Sequence, residues 1–313
     1  MFNQILKASK FVVENSNDVK INYEKIQTLI DEIEDFIPKH YLLFNDDIMS
    51  LNTEDIINLL LILNSNNCCF WGDPKWTIEL EGNEYDGGEA LLYATLNIFK
   101  TYKGKEVFNY LANITQDDFA KLLKGNVEIP LLEERYEVVT NVAKVVIKEM
   151  NGNFYEYIKD FSSDGELFKL IIDKFPSSKD VRLYKGQEIP LYKLAQLLTS
   201  DILHILEYKD KKNVDYSNLI GCSDYKIPQI LRSYGILEYS DDLANIVDNK
   251  IEIEENNPFE VEIRASMLVV IDYIYNAING SVCKMDINDY IWLKGKNKSL
   301  IHKPYHLTRT LSY

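Results

Sequence analysis

Apolar residues recur three and four positions apart along most of this chain, a period that suits packed helices and little else. It predicts helices over 22–36, 53–64, 87–100, 105–112, 115–123, 131–149, 165–174, 190–207, 226–234, 239–247 and 261–279. Start signals support several of them. Thr53-Glu54-Asp55 and Thr115-Gln116-Asp117-Asp118 put a capping hydroxyl and acids in a first turn, and Pro190 and Pro228 suit first helical turns. Two short stretches alternate instead. Trp76 to Tyr85 turns at Gly82-Asn83, and Arg182 to Ile189 turns near Gly186; both read as β-hairpins. There is no series of parallel strands, no GxGxxG and no GxxxxGK[ST], so a Rossmann or P-loop fold is excluded. The expectation is one mainly α domain over residues 1–313, with one or two small β-hairpins and two helical lobes about a central cleft.

Charge narrows the function classes. Against 34 Lys and Arg stand 49 Asp and Glu, a formal net charge of −15 with no basic block. A polymeric nucleic acid would be repelled, whereas a single nucleotide or a small cation is compatible. The longest apolar run, Ile56 to Leu63, is too short to span a bilayer, and charges interrupt the amino-terminal residues early, so no membrane partner or signal peptide is expected. Cys68, Cys69, Cys222 and Cys283 show no CxxC spacing, which suits a reducing cytoplasm. His40, His204, His302 and His306 form no HxxxH or HExxH pair, so no metal is expected. At this length a chain buries roughly 75% of its unfolded surface and needs neither metal nor disulfide to hold a core.

Five clusters carry potential chemistry. Phe70, Trp71 and Asp73 lie in NCCFWGDPKW at an element junction, where the aromatics would serve as a stacking wall for a planar ligand or as core anchors. Tyr192-Lys193 sits in an otherwise apolar stretch with Asp201 and His204 beyond it; Lys193 either snorkels to the surface or meets an anion in a polar site. Asp224 and Tyr225 precede a helix carrying Pro228, and Asp224 is either a cap or a catalytic carboxylate. Glu260, Glu262 and Arg264 alternate; as a helix, Glu260 and Arg264 form an i,i+4 pair, ordinarily a surface feature of small consequence. The tail offers His306 and Arg309 to a phosphate, or simply docks.

Taken in order, these strings resemble the queuosine salvage protein family, the queuosine-5′-phosphate N-glycosylases. The resemblance runs through SKFVVENSNDVKI (9–21), NNCCFW (66–71), PLLEER (130–135) and FPSSKDVRLYKGQEIPLYKLAQLL (175–198). It continues through SDYKIPQILRSYGILEYSDDL (223–243), EVEIRA (260–265), YIWLKG (290–295) and PYHLTR (304–309). It implies a helix-hairpin-helix DNA-glycosylase-like fold. The implied reaction is hydrolysis of queuosine 5′-monophosphate to queuine and ribose 5-phosphate without a cofactor, with Lys193 and Asp224 flanking the scissile bond. On this reading Phe70, Trp71 and Tyr225 sandwich the heterocycle. Asp73, Glu260 and Glu262 face the cationic side arm of queuine, and Arg264, His306 and Arg309 hold the phosphate. The alternatives are a nucleic-acid base glycosylase on the same fold and a non-catalytic helical module that binds queuine or a nucleoside.

Overall fold

The computed structural model describes residues 1–35, 40–297 and 302–313. In chain order these form α1 (Phe2–Glu14), β1 (Val19–Ile21), α2 (Tyr23–Glu34), α3 (Asp46–Met49), α4 (Thr53–Ser65), β2 (Thr77–Leu80), β3 (Asn83–Asp86) and α5 (Gly87–Thr101). Next come α6 (Lys105–Asn113), α7 (Gln116–Leu122), α8 (Leu132–Glu149), α9 (Phe154–Ile158), α10 (Asp164–Lys174), β4 (Val181–Tyr184), β5 (Gln187–Pro190) and α11 (Lys193–Asp210). The last are α12 (Lys226–Ser233), β6 (Leu237–Tyr239), α13 (Asp241–Asp248), α14 (Pro258–Ala277) and α15 (Lys284–Lys296). The chain is mainly α, with short antiparallel strand pairs only among the described residues.

Two compact units emerge, each assembled from separated segments. Unit 1 holds Met1–Tyr41, Asp180–Gln196 and Tyr216–Arg309, within the described residues; unit 2 holds Leu42–Lys179, Leu197–Asp215 and Thr310–Tyr313. Each is organised around one helix buried on nearly all sides, as a helix apolar all round its circumference requires. In unit 2 this is α4, buried from Asp55 to Ser65 and packed on α5, α8 and α9. In unit 1 it is α14, buried from Glu260 to Asp272 and packed on α1, α2, α12 and α15. Apolar side chains make most of both cores, but the first two turns of α14 bring Glu260, Glu262 and Arg264 inside as well.

Both hairpins form, each on a two-residue turn. Glu81 (φ 52°) and Gly82 (φ 78°) link Leu80 to its partner Asn83, and Lys185 (φ 47°) and Gly186 (φ 80°) link Tyr184 to Gln187. Two successive left-handed residues twist with the strands, and glycine takes one of them without strain. The first turn thus lies one residue earlier than Gly82-Asn83. Two further expectations shift. Pro190 ends β5 instead of opening a helix, and α11 begins at Lys193. The helix placed at 239–247 begins at Asp241, capped by Ser240, because Leu237–Tyr239 pairs with Val19–Ile21. The acidic stretch 252–257 is only partly solvated: Ile253 is buried and Asn257 caps α14.

Candidate active site

Asp224 ends a loop whose main chain is anchored at nearly every step. Gly221 sits at φ 147° with no room for a β-carbon, which would lie 2.9 Å from Ile271 Cδ1. Ile220 N and Gly221 N both donate to Gln196 Oε1 (2.8 and 3.2 Å), and Cys222 N donates to Asn288 Oδ1 (2.8 Å). Ser223 exchanges two bonds with Arg264: its carbonyl accepts from Nε (2.9 Å) and its hydroxyl donates to the Arg264 carbonyl (3.2 Å). Asp224 itself is 8% exposed, and its Oδ1 accepts from Lys226 N (2.9 Å) and Ile227 N (3.0 Å) at the start of α12. Burial pushes this carboxyl above the usual carboxylate range. The Lys193 ammonium opposes that shift most strongly, followed by the Ile227 and Lys226 N–H bonds and the Lys226 charge, but desolvation wins.

Lys193 is the first residue of the eighteen-residue α11 and is 6% exposed. A buried cation at the positive end of a helix opposes the dipole and violates a local rule, as functional residues tend to do. The turn that delivers it is stapled to Asp180. Leu191 N and Tyr192 N donate to the Asp180 carbonyl (2.9 and 3.1 Å), holding Tyr192 at φ 51°, and Lys193 N donates to Asp180 Oδ2 (3.2 Å). Gln196, one turn along, also donates to the Leu191 carbonyl at 3.0 Å.

The residues beneath form a buried charge network. Arg264 grips Asp180 with both terminal nitrogens (3.1 and 2.5 Å) and meets Glu260 Oε1 at 2.9 Å. Arg182 meets Glu260 (3.1 Å), Asp180 (3.3 Å) and Glu255 (2.8 Å). Asp180, Arg182, Glu260 and Arg264 are all at most 4% exposed, two charges of each sign. For Asp180 burial alone would raise the carboxyl, yet the combined pull of Arg264, Arg182 and the Lys193 N–H holds it below the usual range. Removing one member of such a network strands a buried charge and costs about 3–5 kcal/mol.

This geometry corrects several sequence expectations. The Glu260–Arg264 pair is helical, as one alternative had it, but lies in the core and not on the surface. Arg264 is fully buried with each side-chain nitrogen bonded to protein. Glu262 is engaged by the protein itself: Ser16 Oγ, Asp18 N and Val19 N converge on Oε2 (2.5, 2.8 and 3.1 Å), while Tyr184 Oη and Asn17 N meet Oε1 (2.7 and 3.2 Å). Glu260 is likewise engaged by two arginines. Burial pushes His306 down to about 3, helped by the Arg264 charge, which favours the neutral ring. The folded value lies below the ordinary 6.5, so this stability is present above pH 6.5 and lost as pH falls toward 3, at about 1.4 kcal/mol per pH unit. Urea midpoints measured between pH 6.5 and 4 should fall more steeply for the native protein than for His306→Gln; equal slopes would refute this.

The remaining candidates divide between the units. In unit 1, Tyr225 is 9% exposed with its ring 4.9 Å from that of Tyr305, and the exposed Arg309 pairs with Glu252 at 3.1 Å. In unit 2, Phe70 and Trp71 are buried and Asp73 is exposed ahead of a cis bond to Pro74. Phe70 stacks at 6.5 Å on Trp76 and carries the Arg135 guanidinium over its ring. Arg135, fully buried, binds the carbonyls of Asn66, Cys68, Cys69 and Pro130 and so fixes the whole NCCFW turn. Among the described residues no three His, Cys, Asp or Glu gather to hold a metal ion, the four cysteines are unbridged, and no helix is long and apolar enough to cross a membrane.

Lys193 and Asp224, 31 residues apart in sequence, are both buried, and the Lys193 charge lowers the proton affinity of Asp224. The family model described as "Queuosine salvage protein" matches residues 48–313. The chain belongs to the queuosine salvage protein family. A relative from Sphaerobacter thermophilus is 34% identical over 265 residues, covering 83% of this chain and 82% of its own. One from Dictyostelium discoideum is 27% identical over 95% of both chains, and one from Bos taurus is 25% identical over 98% of both. All three are named queuosine 5′-phosphate N-glycosylase/hydrolase.

Within this queuosine salvage chain, Asp180, Arg182, Gln196 and Asn288 are the residues that the sequence reading missed. Asp180 and Arg182 sit in the string KDVRLY (179–184), but nothing local marks them, because their partners Glu260 and Arg264 are distant in sequence. Gln196 lies on a helix face with buried Lys193, Thr199 and Ser200, and Asn288 lies beside buried Asp289, so neither stands out as a lone polar residue.

Proposed function

We propose that this protein hydrolyses the N-glycosidic bond of queuosine 5′-monophosphate, releasing queuine and ribose 5-phosphate, with Asp224 and Lys193 as the catalytic residues. The observation that carries the proposal is the Asp224 carboxylate, dried by burial, pinned through Oδ1 by two backbone N–H groups and set against the Lys193 ammonium. The named activity of the relatives supports it.

Cleavage of the C1′–N bond leaves its electron pair on the base and builds positive charge on the ribose. A fixed carboxylate in a dry site stabilises that charge, and one oriented group of this kind contributes about 3–4 kcal/mol. With Oδ1 committed to the chain, Oδ2 is the oxygen assigned to the sugar and to the proton of the attacking water. The water oxygen bonds to C1′, one of its protons passes to Asp224, and the departing base gains one proton. The base is a 7-deazaguanine with no N7 to protonate, so donors at its other edges must assist; Lys193 is assigned there. Tyr225 is assigned to the face of the heterocycle.

Small-molecule nucleotide, not polymer, is the substrate class that a net charge of −15 favours. The unbridged thiols suit a cytoplasmic setting. Purified protein incubated with queuosine 5′-monophosphate should release free queuine, detected by chromatography and mass spectrometry. Binding without release would leave a carrier module in place of an enzyme.

A further inference from the structure

Lys193 and Asp224 belong to different segments, and something must set the distance between them. Gln196 bridges them directly and Arg264 bridges them through Asp180. Gln196 accepts from the loop entering Asp224 and donates to the turn delivering Lys193. Arg264 does more, because its rigid planar fork reads both ends at once. One edge grips the Asp180 carboxylate, whose Oδ2 also holds Lys193 N; the Nε edge holds the carbonyl of Ser223, the residue covalently joined to Asp224. The return bond from the Ser223 hydroxyl to the Arg264 carbonyl fixes that end doubly.

We propose that Arg264, seated on Asp180, is the positioning residue that sets Lys193 against Asp224. The inference rests on the reading that these two residues act on the glycosidic bond, and it gives Arg264 a role in the reaction without contact with substrate. Stability alone would not require one nitrogen to end on the main-chain carbonyl beside Asp224 and two others on the carboxylate that holds Lys193 N. The fit is specific to guanidinium: an ammonium at the same place keeps the charge but cannot span a carboxylate and a carbonyl in one plane. Geometry at this level matters for rate, since displacement of a reacting group by about 1 Å costs on the order of 10²-fold.

The decisive variant is Arg264→Lys, compared with native protein by steady-state kinetics on queuosine 5′-monophosphate and by 13C NMR of carboxyl-labelled aspartate, the Asp224 signal being assigned from Asp224→Asn. The charges facing Asp224 are Lys193 from α11 and Lys226 from α12, and of these only Lys193 is held through Arg264. We expect kcat to fall at least about 10-fold with KM within about threefold, and Asp224 to titrate at higher pH as the ammonium withdraws. A purely structural role would lower the unfolding temperature and leave both kcat per folded molecule and the titration unmoved, and that result overturns the proposal. Should Arg264→Lys fail to fold, Ser223→Ala removes one bond of the same tie and is expected to shift both readouts in the same directions by a smaller factor; no shift overturns it equally. The NMR titration needs no turnover. If native protein releases no queuine, the catalytic reading falls while the titration still decides whether Arg264 couples the two groups.

Discussion

Asp224→Asn is expected to lower kcat on queuosine 5′-monophosphate by at least about 100-fold while leaving the fold intact. The substitution is chosen for what it preserves. An asparagine Oδ1 accepts the same two N–H bonds from Lys226 and Ile227, so the start of α12 keeps its cap. What disappears is the negative charge. If Asp224 were only a cap, kcat would stay within a few-fold of native, and that outcome would remove it from the mechanism.

The same variant separates activity from stability. Burial raises the Asp224 carboxyl above its ordinary value, so the folded state holds the proton more tightly than the unfolded chain does. The stability tied to that difference is fully present below the unfolded value and is lost as pH rises through the folded one. Ionising this side chain is therefore a net burden on the fold, and asparagine relieves it. The unfolding temperature of Asp224→Asn at pH 7 is expected to equal or exceed that of native protein, with the difference shrinking as pH is lowered. An inactive variant that is also markedly less stable would point to a structural role. A native protein that releases bases from oligonucleotides but not queuine from the monophosphate would favour the polymer glycosylase, an activity for which the acidic surface is poorly suited.

How legible this molecule is from its sequence depends on whether the signal is local. Apolar periodicity locates α4 and α14, because a helix buried all round shows its character within a dozen residues. The hairpins announce themselves through Gly82 and Gly186 in two-residue turns. Helix α1 escapes because its buried stripe of Ile5, Ser9 and Val12 includes a serine whose hydroxyl is satisfied by the Ile5 carbonyl. Helix α15 escapes for a related reason: its buried face includes Asn288 and Asp289, and Asn288 is there to hold Cys222. At the site, Lys193 is visible as a cation in a mostly apolar stretch and Asp224 as an acid just ahead of a helix start, whereas the Glu260–Arg264 spacing reads the same in a core as on a surface. Only Asp180 and Arg182, brought in by chain folding, turn that pair into a buried network, and no local pattern can show it.

Lys193→Met is expected to reduce kcat by about 10²-fold or more, the range of a well-placed proton donor, and to move the acid limb of the kcat–pH profile upward. Methionine matches the length and apolar stem of lysine, and the main-chain bond from residue 193 to Asp180 survives, so α11 still begins where it does. The pH shift has a definite sign. Lys193 is the largest influence holding the Asp224 proton affinity down, and without it burial acts against the N–H bonds and Lys226 alone. Asp224 then keeps its proton to higher pH, and the ionised form needed for turnover appears later in the titration. A parallel comparison on queuosine lacking the 5′-phosphate assigns the ammonium. A donor to the departing base predicts the same proportional loss on nucleoside and nucleotide, because the bond broken is the same. If the loss were confined to the nucleotide, Lys193 would be the phosphate anchor, and assistance to the leaving base would have to come from another side chain.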